Sequence, residues 1–244
     1  MSEVSRGTQL ANTKIFIAVA GNIGTGKTTL AEMLSNRFGW KAHLEAVSNN
    51  PYLVDFYKDM ARWSFPLQIY FLNNRFKAHQ KVTQGTDSAV QDRSIYEDAN
   101  IFARNLYEQG KMEERDYLNY LDLYQAMCQF LSPPDLIVYL RKSLPRLQTQ
   151  IVLRGRDYEK NIPESYLANL NRYYDDWMER YSDGKKLIVE SDDIDFVGKV
   201  EDFESVAVKI LETLDQRDLF LENKPKQQPA YDLHFDFTHQ TVTH

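Results

Sequence analysis

The feature that most constrains this chain is an apolar stretch, residues 14–20, that runs directly into Gly21-Asn-Ile-Gly-Thr-Gly-Lys-Thr28. The stretch has the length and composition of a buried strand. The sequence after it matches the phosphate-binding loop, in which glycines turn backbone N–H groups inward and the next helix presents its positive end to phosphate. Lys27 can reach the β- and γ-phosphates of a nucleoside triphosphate, and the Thr28 hydroxyl can ligate Mg²⁺. The residues predicted to contact ATP here are Gly21, Asn22, Ile23, Gly24, Thr25, Gly26, Lys27, Thr28 and Thr29.

Short apolar runs alternate with helix-like periodic segments along the rest of the chain. This alternation predicts an α/β fold, a P-loop NTPase-like parallel sheet with helices on both faces. Ligands of such sheets bind at the carboxyl ends of the strands, where Glu45, Asp92 and Arg93 also fall. The predicted strands cover residues 14–20, 41–45, 88–91, 135–140 and 186–190, and the predicted helices cover 26–38, 63–84, 96–109, 113–131, 145–153, 163–181 and 200–214, with a further short helix after Pro51.

We expect one domain over residues 14–221, preceded by a flexible leader at 1–13 and followed by a tail at 222–244 that is rich in Lys, Pro, Gln and His. The net charge of −6 argues against nucleic acid or an anionic membrane as the main partner. No apolar run reaches the ~18 residues of a membrane span, and none opens the chain as a signal peptide would. Together with a single cysteine, Cys128, these features favour a cytoplasmic protein.

Two further polar groups suggest phosphoryl transfer. Asp92 is suited to accept a proton from a hydroxyl acceptor or to hold Mg²⁺, and the less favoured alternative is that it caps the next helix. Arg93 suits a phosphate but also an ordinary surface ion pair. Arg154 and Arg156 flank Gly155 in a polar segment, as in a mobile arginine-rich lid at about residues 150–163, although a basic surface turn has the same composition.

Taken together, these motifs resemble the deoxynucleoside kinases. The resemblance is strongest to the bacterial deoxyadenosine and deoxyguanosine kinase branch, which is related to deoxycytidine kinase, and it covers about residues 14–215. It rests on the order of the phosphate loop, Glu45, Tyr57 and Gln68, Asp92-Arg93-Ser94, and Leu153-Arg-Gly-Arg-x-x-Glu159. It implies ATP-dependent phosphorylation of a deoxynucleoside 5′-hydroxyl in nucleotide salvage.

The resemblance also implies individual roles. Lys27, Asp92, Arg93 and Arg154 would be catalytic, and Thr28 with Asp92 would hold Mg²⁺. Asp195 and Phe196, in a loop that packs on the adenine of ATP, would bind the nucleotide with Arg154 and Arg156. The implied substrate contacts are Glu45 and Arg93 to the 5′-hydroxyl, Tyr57 and Glu159 to the 3′-hydroxyl, and Gln68, Arg75, Asp98 and Phe102 to the base.

Two departures from the family pattern affect these roles. Gln150 stands where the family often has a further lid arginine, so the lid depends more on Arg154 and Arg156. Asp92 is one methylene shorter than the glutamate of the animal enzymes, which leaves Asp92 and Glu45 as alternative proton acceptors. We expect Asp92 to accept the proton and Glu45 to orient the hydroxyl.

The base is predicted from hydrogen-bond chemistry. An ionised Asp98 only accepts hydrogen bonds, which favours an exocyclic amine, and Arg75 can donate to a purine N7. Phe71 is expected to fill the space that a thymine methyl group would need. We therefore expect a purine substrate, deoxyadenosine first, and poor use of thymidine.

Two other functions remain as alternatives, a nucleoside monophosphate kinase and a non-catalytic nucleotide-binding relative. The first needs several cations around its acceptor phosphate, where this chain has Glu45 and Glu159. The second should have lost some of the catalytic residues, and none is lost. Aromatic residues on several sides of helices 63–84 and 113–131, including Tyr70, Phe71, Tyr117, Tyr120 and Tyr124, predict a homodimer through these helices.

Overall fold

The computed structural model describes residues 14–45, 50–159 and 162–215. Its sheet has five strands in the order β2-β3-β1-β4-β5, and all four neighbouring pairs are parallel, which confirms the predicted fold class. The strands are β1 (Phe16–Gly21), β2 (Lys41–His43), β3 (Ala89–Asp92), β4 (Leu136–Arg141) and β5 (Lys185–Glu190).

Helices cover both faces of this sheet. They are α1 (Lys27–Phe38), α2 (Leu53–Lys58), α3 (Met60–Gln84), α4 (Ile95–Glu97), α5 (Arg104–Glu108), α6 (Glu114–Cys128), α7 (Leu144–Arg154), α8 (Glu164–Arg180) and α9 (Val200–Asp215). A π-helical segment, Asp98–Ala103, joins α4 to α5, and a short 3₁₀ turn, Asp157–Glu159, follows α7.

The central strand β1 divides the core into two parts because successive side chains of a strand point to opposite faces. Ala18 and Ala20 pack with residues of α3, α6 and α8, whereas Ile17 and Val19 pack with residues of α1 and α9. All six residues of β1 are buried, as expected for the middle strand of a sheet covered on both faces.

Strand register places the predicted catalytic groups beside one another. Val19 of β1 is level with Asp92 of β3, and the backbone N–H of Arg93 donates to the Val19 carbonyl at 3.0 Å. The phosphate loop and the residues that follow β3 therefore both lie at the carboxyl ends of the strands, as the sequence predicts.

Three local expectations differ from the structure. Helix α3 begins at Met60 rather than 63, because the Asp59 side chain caps it by accepting a hydrogen bond from the Arg62 N–H. Pro66 therefore lies inside the helix, beyond its first turn. The helix predicted at 96–109 contains the π-helical segment, and β2 ends at His43, before Glu45.

Over the described ranges, no helix is both long and apolar enough to cross a membrane. The predicted leader at 1–13 and tail at 222–244 lie outside the described residues.

Candidate active site

The phosphate loop has the geometry that its glycines suggest. Gly24 and Gly26 adopt positive φ angles of 84° and 94°, which L residues rarely adopt. A Cβ on Gly24 would also lie 3.3 Å from the Leu147 carbonyl oxygen of α7, so the segment that begins the predicted lid already packs on the loop.

Lys27 sits inside the loop with its ammonium group buried. Its Nζ donates to the Asn22 carbonyl oxygen at 2.7 Å. Burial, together with nearby Arg93, lowers the pKa of Lys27 to about 7. A phosphate group placed here would supply the negative charge that favours the protonated lysine.

Thr28 and Asp92 meet at the carboxyl end of the sheet. The Thr28 hydroxyl donates to Asp92 Oδ2, while Asp92 Oδ1 is buried and has no hydrogen-bond partner among the described residues. No group of three or more His, Cys, Asp or Glu side chains in the described ranges is arranged to hold a metal ion. One carboxylate and one hydroxyl fit Mg²⁺, which takes few protein ligands and fills its shell with phosphate oxygens and water.

Four charged side chains form a compact cluster next to this point. The Arg75 guanidinium donates to Asp98 Oδ1 and to Glu45 Oε1, and the other Glu45 oxygen lies 3.7 Å from Arg93 Nε. Two cations and two carboxylates thus balance each other in a buried site. Arg75 and Arg93 hold the pKa of Glu45 below its usual value although burial acts to raise it.

The net pKa shift of Asp98 has the opposite direction to that of Glu45. Its side chain is 1% exposed, and this burial raises its pKa to about 6 despite the adjacent Arg75. At neutral pH the carboxyl is therefore mostly ionised, and mild acidification protonates it.

The same cavity offers unsatisfied groups to a base. Gln68 Oε1, Arg75 Nε and Asp98 Oδ2 are buried without a partner among the described residues. Aromatic rings border them, since the Arg75 guanidinium lies 4.7 Å from the Phe71 ring centre and that of Arg93 lies 4.3 Å from the Phe102 ring centre. Two hydrogen-bond acceptors and one donor between flat rings suit a heterocycle that carries an amine.

The predicted lid follows α7. Gly155 ends this helix with a φ of 68°, and Glu159 then returns to the cavity with its side chain 4% exposed. Glu159 binds both lid arginines: Arg154 Nε donates to one oxygen at 3.1 Å and Arg156 Nη1 to the other at 3.3 Å. The Tyr158 ring stacks on Tyr57 at 5.9 Å, which brings the lid against α2.

The structure brings 14 of the 22 predicted site residues together in one cavity. This cavity is lined by Ile23, Lys27, Thr28, Glu45, Tyr57, Gln68, Phe71, Arg75, Asp92, Arg93, Asp98, Phe102, Arg154, Arg156 and Glu159, with Leu53, Phe56, Leu67 and Tyr166 completing its wall. Every residue predicted to contact the substrate is among them.

Asp195 and Phe196 do not line this cavity. Phe196 is buried in the core under α1 and α9, with its ring 3.8 Å from a Cβ built on Gly26. Asp195 Oδ1 accepts the backbone N–H groups of Val197 and Gly198, which shapes the loop before α9. Their predicted contact with adenine would therefore occur outside the acceptor cavity.

Sequence reasoning missed two buried polar residues, Glu97 and Tyr174. The Tyr174 hydroxyl donates to Glu97 Oε2 at 2.7 Å, next to Arg93. A signal for Glu97 was present, since Ser94-x-x-Glu97 before an apolar run is the sequence of a helix capping box. Tyr174 gave no signal, because in sequence it is one more aromatic residue of an amphipathic helix.

Comparison with known proteins supports the same interpretation. The family model described as deoxynucleoside kinase matches residues 17–215. A relative from Bacillus subtilis named deoxyadenosine/deoxycytidine kinase is 38% identical over 196 residues, which is 80% of this chain and 90% of the relative. A Dictyostelium discoideum relative named deoxyadenosine kinase is 43% identical over 166 residues, 68% of this chain and 67% of its own.

The fold also matches a solved structure. A deoxyadenosine kinase from M. mycoides, determined with the product dCMP and a flexible dCDP bound, aligns with a TM-score of 0.73 and 29% identity over 81% of this chain and 100% of its own.

Proposed function

The chain belongs to the deoxynucleoside kinase family, and from this premise we propose that it transfers the γ-phosphoryl group of ATP to the 5′-hydroxyl of deoxyadenosine in preference to other deoxynucleosides. The observation that carries this proposal is the single cavity in which phosphate-binding, sugar-binding and base-binding side chains meet. A phosphate loop alone would fit many enzymes. A neighbouring cavity with paired charges and unsatisfied base-sized polar groups fits a nucleoside acceptor.

The proposed reaction needs a proton acceptor near the attacking hydroxyl. Asp92 takes the proton as the 5′-oxygen bonds to the γ-phosphorus, and the bond from that phosphorus to the β,γ-bridging oxygen breaks to release ADP. Asp92 Oδ1 suits this step because it is buried without a protein partner among the described residues. Glu45 is already paired with two guanidinium groups, which hold its pKa below its usual value, and it orients the hydroxyl together with Arg93.

Charge on the transferred group is stabilised by Lys27 and the lid arginines. Thr28 and Asp92 would hold Mg²⁺, which neutralises phosphate charge when it is bound. Arg154 and Arg156 pair with Glu159 in this structure. We propose that the sugar 3′-hydroxyl binds between Tyr57 and Glu159. Arg154 and Arg156 then turn from Glu159 toward the phosphates, so that the segment at about 150–163 acts as a lid.

The proposed base preference rests on three buried polar atoms without a partner among the described residues, which are Gln68 Oε1, Arg75 Nε and Asp98 Oδ2. An adenine amine can donate to Asp98 and to the Gln68 carbonyl oxygen, and Arg75 can donate to a ring nitrogen. Cytosine carries the same kind of amine, and the Bacillus subtilis relative is named for both substrates. Thymine offers no amine, and Phe71 borders the cavity near Arg75.

The direct test is to measure kcat/KM for the four natural deoxynucleosides with ATP and Mg²⁺, with a magnesium-free control. We expect deoxyadenosine to be the best substrate and thymidine the worst. Thymidine as the best substrate would show that Arg75 and Asp98 do not read the base. Turnover of nucleoside monophosphates in place of nucleosides would favour the alternative monophosphate kinase.

We also propose that the protein forms a homodimer through α3 and α6, although one premise of the sequence argument is wrong. Tyr117, Tyr120 and Tyr124 are buried within the subunit and do not form a second apolar face. The remaining apolar surface of this region is smaller and includes exposed Leu118 and Leu123 on α6. Light scattering at micromolar concentration should give the mass of a dimer, and a monomer would refute this proposal.

A further inference from the structure

A buried carboxylate links the phosphate loop to the turn that carries Arg93. Glu97 is 0% exposed, and its carboxylate oxygens accept four hydrogen bonds. The donors are the Ser94 N–H at 2.7 Å, the Ser94 hydroxyl at 3.3 Å, the Gly21 N–H at 3.3 Å and the Tyr174 hydroxyl at 2.7 Å. Since Gly21 begins the phosphate loop and Ser94 follows Arg93, one carboxylate holds both halves of the site.

Tyr174 extends this link to the arginine itself. Its hydroxyl donates to Glu97 and accepts from Arg93 Nη1 at 3.3 Å, while Arg93 Nη2 reaches the Gly21 carbonyl oxygen at 3.4 Å. Burial raises the pKa of Tyr174 well above its usual value, so the hydroxyl keeps its proton. The guanidinium is thus directed by contacts from α8 and from the phosphate loop.

Arg93 requires such support because its backbone is strained. It is the one non-glycine residue with a positive φ, 67°, in the described part of the chain. A left-handed arginine at the end of a strand is unfavourable, and such conformations persist where neighbouring contacts hold them in place. With this backbone conformation, the Arg93 side chain is directed toward Glu45 and Phe102.

We propose that Glu97 and Tyr174 are positioning residues, which set the direction of the Arg93 guanidinium and fix its distance from the start of the phosphate loop. The inference rests on the proposed role of Arg93 in binding the 5′-hydroxyl. Neither residue contacts the reacting atoms. Their effect reaches the reaction through Arg93.

The test uses Tyr174→Phe, which removes the hydroxyl but keeps the ring that stacks on Tyr139 at 5.4 Å. Tyr173→Phe is the matched control, because Tyr173 is the preceding residue of the same helix. Its hydroxyl also donates to a glutamate, Glu108, which does not line the cavity. We expect Tyr174→Phe to lower kcat about tenfold, the value of one hydrogen bond to a charged network. Tyr173→Phe should leave kcat unchanged at a similar cost in Tm.

A second comparison separates positioning from stability. In an Arg93→Lys background the guanidinium that Tyr174 contacts is gone, so adding Tyr174→Phe should lower kcat by less than twofold further, while its loss of Tm stays the same. Glu97→Gln, which keeps the shape of the side chain but removes its charge, should behave in the same way.

Three outcomes would contradict these assignments in different ways. A Tyr174→Phe enzyme with normal kcat and a lower Tm would overturn the inference. A tenfold loss that persists in full in the Arg93→Lys background would also overturn it, because Tyr174 would then act without Arg93. If Arg93→Lys alone is fully active, the proposed role of Arg93 is wrong and the inference fails with it.

Discussion

The two halves of the site are built in opposite ways. The phosphate half is one uninterrupted stretch, from Gly21 to Thr29, whose backbone N–H groups and one lysine are proposed to bind the phosphates of ATP. The acceptor half has no such stretch, since Glu45 follows β2, Gln68 and Arg75 belong to α3, Arg93 follows β3 and Asp98 opens the π-helical segment. The first half is therefore defined by local sequence, and the second only by the way the fold brings distant segments together.

The halves also differ in how their charges are balanced. The Lys27 ammonium group donates to the Asn22 carbonyl oxygen, and burial lowers its pKa to about 7, so a bound anion would favour its charged form. In the acceptor half, Arg75 bridges Asp98 and Glu45, so its charges are already paired within the protein. Changes in the phosphate half should therefore reduce the rate for every deoxynucleoside. Changes in the acceptor half should instead alter kcat/KM by different factors for different deoxynucleosides.

The largest effect should follow the loss of Lys27. Lys27→Ala removes a cation that stabilises charge in the transition state, so kcat should fall by at least about 10³-fold for all four deoxynucleosides alike. Lys186→Ala is a suitable control, because that lysine contacts three backbone carbonyl groups at the end of α8 and should affect Tm alone. Near-normal turnover by folded Lys27→Ala protein would contradict the role given to the phosphate half.

A loss that overlaps this range but extends to smaller values is expected where the halves meet, at Asp92. Asp92→Asn keeps the size of the side chain and its contact with Thr28 but removes the proposed base, so kcat should fall about 10²–10⁴-fold. Glu45→Gln should raise the KM for the deoxynucleoside more than it lowers kcat. The reverse pattern, an active Asp92→Asn and an inactive Glu45→Gln, would exchange the two roles.

The difference between the halves explains what the sequence predicts and what it leaves open. The sheet, the phosphate loop and the position of Asp92 follow from local patterns, because each depends on residues close together in the chain. The membership of the acceptor cavity was available only from resemblance to a family, since no local pattern connects Gln68 with Asp98. The pairing of Arg75 with Glu45 was not anticipated at all.

The errors have the same origin. Tyr117, Tyr120 and Tyr124 were counted among the aromatic residues on several sides of two helices, yet tertiary packing buries all three within the subunit. The π-helical segment was also not predicted, because the sequence was compared with the period of a regular α-helix, and a π-helix has more residues per turn. It carries Asp98 and Phe102, so the irregular backbone lies where the base is proposed to bind.

The smallest expected effect is the pH dependence that Asp98 gives to the acceptor half. Because burial raises the pKa of Asp98 to about 6, the carboxyl loses its charge as the pH falls through 6, and at pH 5.5 about a quarter of the molecules keep it ionised. Protonation of Glu45 lies below this window because its pKa is lowered. Lys27, with a pKa of about 7, gains charge in the same window, so the effect of Asp98 is measured as the ratio of kcat/KM between the wild-type enzyme and Asp98→Asn at each pH.

At pH 7.5 this ratio for deoxyadenosine should be about ten to a hundred. At pH 5.5 it should be about fourfold smaller, because the titration of Lys27 is common to both enzymes and cancels in the ratio. Unfolding would not explain the change: a carboxyl whose folded pKa exceeds its unfolded value of 3.8 contributes more to stability as the pH falls from 6 to 4. A ratio that stays constant between pH 7.5 and 5.5 would remove Asp98 from base recognition.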